Sequence, residues 1–115
     1  MPNSGLPIVA RRLREARERK GLSQKALGIA AGIDEFSASP RINQYERGKH
    51  VPDLLTLQNV AAALTVPVPY FYADDDLLAE LLMLLHSLPR LQLLAVKKYL
   101  ARKVLEDSKN SRGVK

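Results

Sequence analysis

Along most of this chain apolar residues recur at intervals of three and four, the spacing of one helix face, and no useful stretch alternates as a strand would. After Pro7, the residues Ile8, Leu13, Ala16 and Arg17 share one side. Arg11, Arg12, Arg14, Glu15, Glu18, Arg19 and Lys20 fill the rest. Pro7 suits a first helical position and Gly21 the residue just past the end. A second, short helix is predicted in "LSQKALGIAAG", with Ser23 as N-cap, an apolar face of Ala26, Leu27 and Ala30, and Gly32 as the stop. "PDLLTLQNVAAAL" predicts a helix capped by Asp53, with a stripe at Leu54, Leu57, Val60, Ala61 and Leu64. A short helix begins near Pro69.

The stretch between these, "GIDEFSASPRINQYERGKH", is less regular. From Pro40 onward it has an inward set of Ile42 and Tyr45 and an outward set of Arg41, Asn43, Gln44 and Arg47. Its front, "IDEFSAS", contains few apolar positions. Ile33 can plug the core, Asp34 to Phe36 are expected to loop out, and Ser37 or Ser39 is expected to cap a helix with Pro40 in its first turn. Phe36 is then either a core plug or an outward apolar contact.

The C-terminal part behaves differently. "DDDLLAELLMLLHSL" is apolar almost all round, with Asp75 or Asp76 as a cap, and a further helix restarts after Ser87 and Pro89. A helix that is apolar all round must be covered on most sides. A second subunit therefore offers itself as the cover, against the alternative of simple packing on the N-terminal helices. Leu77, Leu78, Leu81, Leu82, Leu85, Leu93, Val96 and Leu100 are the dimerisation candidates. The tail, residues 108–115, is expected to be disordered.

Charge adds a partner. The net charge is +6. Residues 1–50 carry ten Lys/Arg against five Asp/Glu, residues 51–76 carry four acids and no base, and residues 77–115 carry eight bases against three acids. A basic N-terminal half points to a polyanion, with a solvated basic face as the plainer alternative. There is no cysteine, and His50 and His86 lie far apart without a companion motif, so neither a metal nor any other cofactor is expected. No nucleophile–base pair or phosphate loop supports an enzyme. The longest apolar run is too short for a membrane span, and a cytoplasmic protein is expected.

The "KGLSQ" entry to the second helix, "ERG" ending the third and "PDLLTLQNVAAAL" for the fourth together resemble the Cro/repressor-type, or XRE-like, helix-turn-helix family of bacteria and phages, over about residues 8 to 72. The resemblance implies an all-α fold: a five-helix repressor-like DNA-binding bundle with one or two additional C-terminal helices. Residues 1–74 would be the helix-turn-helix domain and residues 75–107 the helical dimerisation segment. It also implies double-stranded DNA as partner, with the third helix in the major groove. Counted back from Gly48, Ser39, Pro40, Arg41 and Gln44 stand where the family reads bases. Arg41 suits the guanine edge and Gln44 the adenine edge; Asn43 could also meet adenine but is better suited to a phosphate, and Phe36, where it is not a core plug, would touch a thymine methyl. Pro40 offers no hydrogen bond, so one reading position is lost. Ser23, Gln24 and Lys25 at the start of the second helix, and Arg47, Lys49 and His50 at the end of the third, would contact phosphates. Glu46 would pair with Arg17 and tie the first helix to the third.

The chain departs from the family pattern between Gly32 and Gly48, where it carries about four residues more than the usual spacing. Two functions compete. One is a sequence-specific transcriptional regulator, a repressor acting as a homodimer on a palindromic operator. The other is an antitoxin-like protein whose C-terminal helices capture a partner, with DNA binding as autoregulation.

Overall fold

The computed structural model describes residues 6–114, and among them the secondary structure is helical throughout. The order is α1 (Ile8–Lys20), α2 (Gln24–Ala30), α3 (Glu35–Glu46), α4 (Leu54–Leu64), a 3-10 helix (Val68–Tyr72), α5 (Asp76–His86) and α6 (Arg90–Val114). The N-termini of four helices are closed by side chains. Ser23, Asp34, Asp53 and Asp75 accept from the backbone N–H groups of Ala26, Ser37, Thr56 and Leu77. Each such cap stabilises its helix by about 1 kcal/mol. Pro7 is the residue before α1 rather than its first turn, and Gly21 ends α1 in the left-handed region at φ 75°. Gly32 ends the α2 turn similarly, at φ 85°.

Leu13, Leu27, Ile42, Leu57, Val60, Tyr70 and Phe71 form the fully buried centre to which α1, α2, α3, α4 and the 3-10 helix all contribute. One predicted face is rotated and another is borne out except at its first residue. In α2 the buried residues are Leu27 and Gly28, while Ala26 and Ala30 are exposed. In α4 Leu57, Val60, Ala61 and Leu64 are buried, and Leu54, at the first position, is exposed.

The largest correction concerns the expected loop at Asp34 to Phe36. There is no loop: Asp34 is the N-cap, and α3 starts at Glu35. The additional residues extend the helix by about one turn at its front. Pro40 therefore lies inside α3, not in its first turn, and neither Ser37 nor Ser39 is the cap. The reason is packing. Ala38 is fully buried, and a Cβ built on Gly28 would lie 2.5 Å from the Ala38 Cβ, so the front turn of α3 lies directly on α2. That packing, with the Asp34 cap, outweighs the hydrogen bond that Pro40 cannot donate. Phe36 is no core plug; it is 86% exposed.

Arg12, expected on the outer face of α1, is buried. Its Nε donates to the Ala73 carbonyl at 2.8 Å and its Nη1 to Glu15 Oε2 at 3.1 Å. Its Nη2 is 2.9 Å from Asp76 Oδ1, an ionic contact outside good hydrogen-bond geometry. Arg19 meanwhile donates to the Tyr70 hydroxyl at 2.8 Å. Arginines of α1 thus clasp the 3-10 helix and the start of α5.

Beyond that clasp the chain opens out. Ala79 is buried and Leu82 and Met83 pack on the core, but Leu77, Leu78, Leu81 and Leu84 are exposed. On α6, Leu91, Leu94, Tyr99, Leu100, Val104 and Leu105 are exposed, and Leu93 and Val96 are half-buried. The radius of gyration is 17.7 Å, against about 13 Å for a compact chain of this length. The extra reach is α6, and it includes the segment expected to be disordered: the helix continues through Val114, with Lys115 outside the described residues. No helix among the described residues is long and apolar enough to cross a membrane.

Candidate nucleic-acid interface

Helices α2 and α3 carry the residues singled out for DNA, and α3 is oriented by what lies behind it. Ala38, Ile42, Tyr45 and Glu46 are its buried side. Residues four apart share a helix face, so the opposite side presents a row of Phe36, Pro40, Gln44 and Arg47, all exposed. Arg41 is exposed at one flank of that row, and Ser39 and Asn43 are half-buried at the other.

The buried side is held by a polar network. Arg17 Nε and Nη2 donate to Glu46 Oε2 and Oε1 at 2.5 and 3.0 Å, and Arg17 Nη1 donates to the Leu22 carbonyl at 2.9 Å. The hydrogen bond to Glu46 keeps the Arg17 guanidinium even more firmly protonated than usual. Gln24 Nε2 donates to both Asn43 Oδ1 and Glu46 Oε1, each at 3.2 Å. With its amide so placed, Gln24 reaches a phosphate only by giving up a bond to α3. The network joins α1, α2 and α3 in front of the core.

Arg41 is likewise supported. Its Nη2 donates to the Tyr45 hydroxyl at 2.9 Å, and its guanidinium lies 5.9 Å from the centre of that ring. With Gln44, His50, Val51, Asp53 and Thr56 these two residues line an open hollow beside α3. Hydrogen bonds from Thr56, with a smaller contribution from the Arg41 charge, hold the Asp53 carboxyl below its ordinary range. Tyr45 and Asp53 were legible only as a core residue and a cap; their place beside Arg41 needs the fold.

The remaining candidates divide. Ser23 caps α2, with its oxygen accepting from Ala26 N at 3.0 Å. Lys25 lies 3.6 Å from Glu35, and Asp34 is occupied by Ser37, so both acids at the front of α3 have local partners. Lys49 and His50 are exposed after α3, and their N–H groups turn back to the Gln44 carbonyl at 3.0 and 3.4 Å. Gly48, at φ 72°, makes that turn. No group of three or more His, Cys, Asp or Glu suited to a metal occurs among the described residues.

Comparison with known proteins identifies the family. Residues 13–71 match the model of a helix-turn-helix family. An uncharacterized HTH-type transcriptional regulator of Sinorhizobium medicae is 36% identical over 66 residues, 57% of this chain and 45% of the relative. An uncharacterized transcriptional regulator in the ATPase CF(0) region of Rhodospirillum rubrum is 33% identical over 66 residues, 57% of each chain. This chain thus spans about half the length of the curated relatives it matches. The solved structure of the transcriptional regulator BswR is 45% identical, superposes with a TM-score of 0.70, and is matched over 84% of this chain and 92% of its own.

Proposed function

This chain belongs to the XRE-type helix-turn-helix family of transcriptional regulators, and we propose that it binds a specific palindromic operator as a homodimer and represses transcription from the cytoplasm. The observation that carries this reading is the outward face of α3. Hydrogen-bonding side chains stand there in one patch, Arg41 and Gln44, with Asn43 and Ser39 at the flank, on a helix clamped from behind by Arg17 and Glu46. In this reading Arg41 addresses a guanine edge and Gln44 an adenine edge. Lys25, Arg47, Lys49, His50 and the Ser23–Gln24 end of α2 meet phosphates, fixing the register without reading sequence.

A single head of this size contacts too few base pairs for specificity, and two heads on a two-fold axis supply the rest. The exposed leucines of α5 and α6, among them Leu77, Leu78, Leu81 and Leu100, support a second copy as the cover. Leu82, Leu85, Leu93 and Val96 would form the inner margin of that contact. A dimer seated on a promoter excludes polymerase without any further contact, which favours repression. The antitoxin-like alternative draws nothing from the relatives, which are named as transcriptional regulators, a non-enzymatic class.

Selection of bound sites from random duplexes with the purified chain tests the proposal. The expected result is a palindromic consensus with half-sites about one helical turn apart. A pool that stays random, or affinity for duplex DNA that does not fall as salt rises, overturns it.

A further inference from the structure

The extra front turn of α3 has a consequence for what the helix can read. It places Phe36 on the same outward row as Pro40, Gln44 and Arg47, and leaves it 86% exposed. Whatever covers Gln44 and Arg47 thus also approaches Phe36. The surroundings of Phe36 make a protein partner a poor fit. Glu35, Ser37 and Ser39 are its polar neighbours, and Pro40 is the only other apolar residue on the row. Two apolar residues do not make a protein-binding patch.

The two acids at the front of α3 are both engaged in local contacts. The Asp34 carboxylate is spent on the helix N-terminus, accepting from Ser37 N and Oγ at 3.1 Å each. Glu35 faces Lys25 across 3.6 Å. Glu35 thus has a cation beside it, and the Asp34 charge is offset in part by the positive end of the α3 dipole. Close packing of Ala38 on Gly28 fixes the turn that carries Phe36, so the ring projects from rigid backbone rather than from a loop.

On the edges of base pairs in the major groove, the one apolar group is the C5-methyl of thymine. We propose that Phe36 reads a thymine methyl, as the apolar end of a reading row whose polar end is Gln44 and Arg41. This inference rests on the DNA-binding role proposed above. Eight residues of helix separate Phe36 from Gln44, an axial distance of about 12 Å, or three to four base-pair steps. The thymine therefore belongs about two to four base pairs from the base that Gln44 addresses.

The test uses the full chain and a duplex carrying the selected site, with deoxyuridine replacing thymidine one position at a time. Removing the methyl at the Phe36 position should weaken the wild type about fourfold, the effect of exposing one buried methyl group. Phe36→Ala should bind the thymine and uracil duplexes equally, whereas Phe36→Leu should retain part of the difference. The side chain is exposed, so neither substitution should alter the thermal melt. If Phe36→Ala does melt early, the wild-type deoxyuridine scan and Phe36→Leu still decide. Indifference of the wild type to every methyl overturns the inference, and so does a methyl preference that survives in Phe36→Ala. Loss of self-association in Phe36→Ala, with methyl preference intact, also overturns it by making Phe36 a contact between copies. A wild type that selects no site at all refutes the DNA-binding proposal itself, whereas one that selects a site blind to methyls refutes only the role of Phe36.

Discussion

Gly28 of α2 and Ala38 of α3 approach so closely that a Cβ on Gly28 would meet the Ala38 Cβ at 2.5 Å and the α-carbon of the same residue at 2.8 Å. This approach sets how near α3 lies to α2. Gly→Ala within a helix ordinarily stabilises by about 1 kcal/mol through propensity. Here backbone must move to admit the methyl, and overpacking of this kind costs about 1–3 kcal/mol. Gly28→Ala is therefore expected to destabilise the fold by up to about 2 kcal/mol net, read as a lower urea midpoint. Adding Ala38→Gly should recover only part of the loss, because the backbone of residue 38 still stands in the way of the new methyl. A Gly28→Ala protein as stable as the parent would show that α2 and α3 are not in this register.

Glu46 is buried, and its two oxygens receive Arg17, with Gln24 sharing one of them. Glu46→Ala leaves the guanidinium with only the Leu22 carbonyl and deprives Gln24 of a partner. Breaking a fully buried pair costs about 3–5 kcal/mol; since Arg17 is partly exposed, a loss of about 2–3 kcal/mol is expected. Removing both partners, as Arg17→Met with Glu46→Leu, should cost less than the sum of the single changes. A double-mutant cycle in urea measures the coupling, and additive losses would mean the pair contributes nothing of its own.

Asp76 gives a pH dependence of defined sign. Arg12 first, and then Arg11, hold its carboxyl below the ordinary value of 3.8. A carboxyl depressed in the folded state contributes stability above its unfolded pKa and loses it as pH falls through the folded value. Stability should therefore decline on acidification below about pH 4, and Asp76→Asn should flatten that part of the profile. Because Asp76 meets Arg12 at the junction of α1 and α5, the variant should also increase proteolysis or hydrogen exchange near α5. An unchanged acid limb in Asp76→Asn would show that the Asp76 contacts with Arg12 and Arg11 contribute nothing to stability.

Arg41 and Lys49 should separate base reading from phosphate contact. Arg41→Ala is expected to relax the preference at one base pair and cost about 1–3 kcal/mol on the selected site. Lys49→Ala should weaken all sequences alike and reduce the salt slope by about one. Parallel titrations on the selected site and a scrambled duplex distinguish the two patterns. If Arg41→Ala leaves preference unchanged at every position, α3 does not enter the groove with its outward row against the bases.

The amino-acid sequence alone determined the helices and most of their ends. Ser23 and Asp53 are short acceptors placed before apolar stripes, and Gly21 and Gly32 supply the left-handed stops; these are local effects that few neighbours can reverse. Leu13, Leu27, Ile42, Leu57 and Val60 follow from periodicity, and the order of motifs identifies the family. Where α3 begins could not be read locally. Pro40 and three polar residues argue for a late start, and only the burial of Ala38 against Gly28 reverses that preference. From this one decision follow the exposure of Phe36 and the outward row on which it stands. Arg12 was misplaced for a similar reason: an arginine is buried only when another element supplies acceptors, here the Ala73 carbonyl and Asp76, some sixty residues away. Local patterning thus determined that the chain is helical, where most helices begin and end, and most of the residues that fill the core. Tertiary packing decided how long α3 is, which side of α2 faces the core and which charges are drawn inside, because all three depend on atoms remote in sequence.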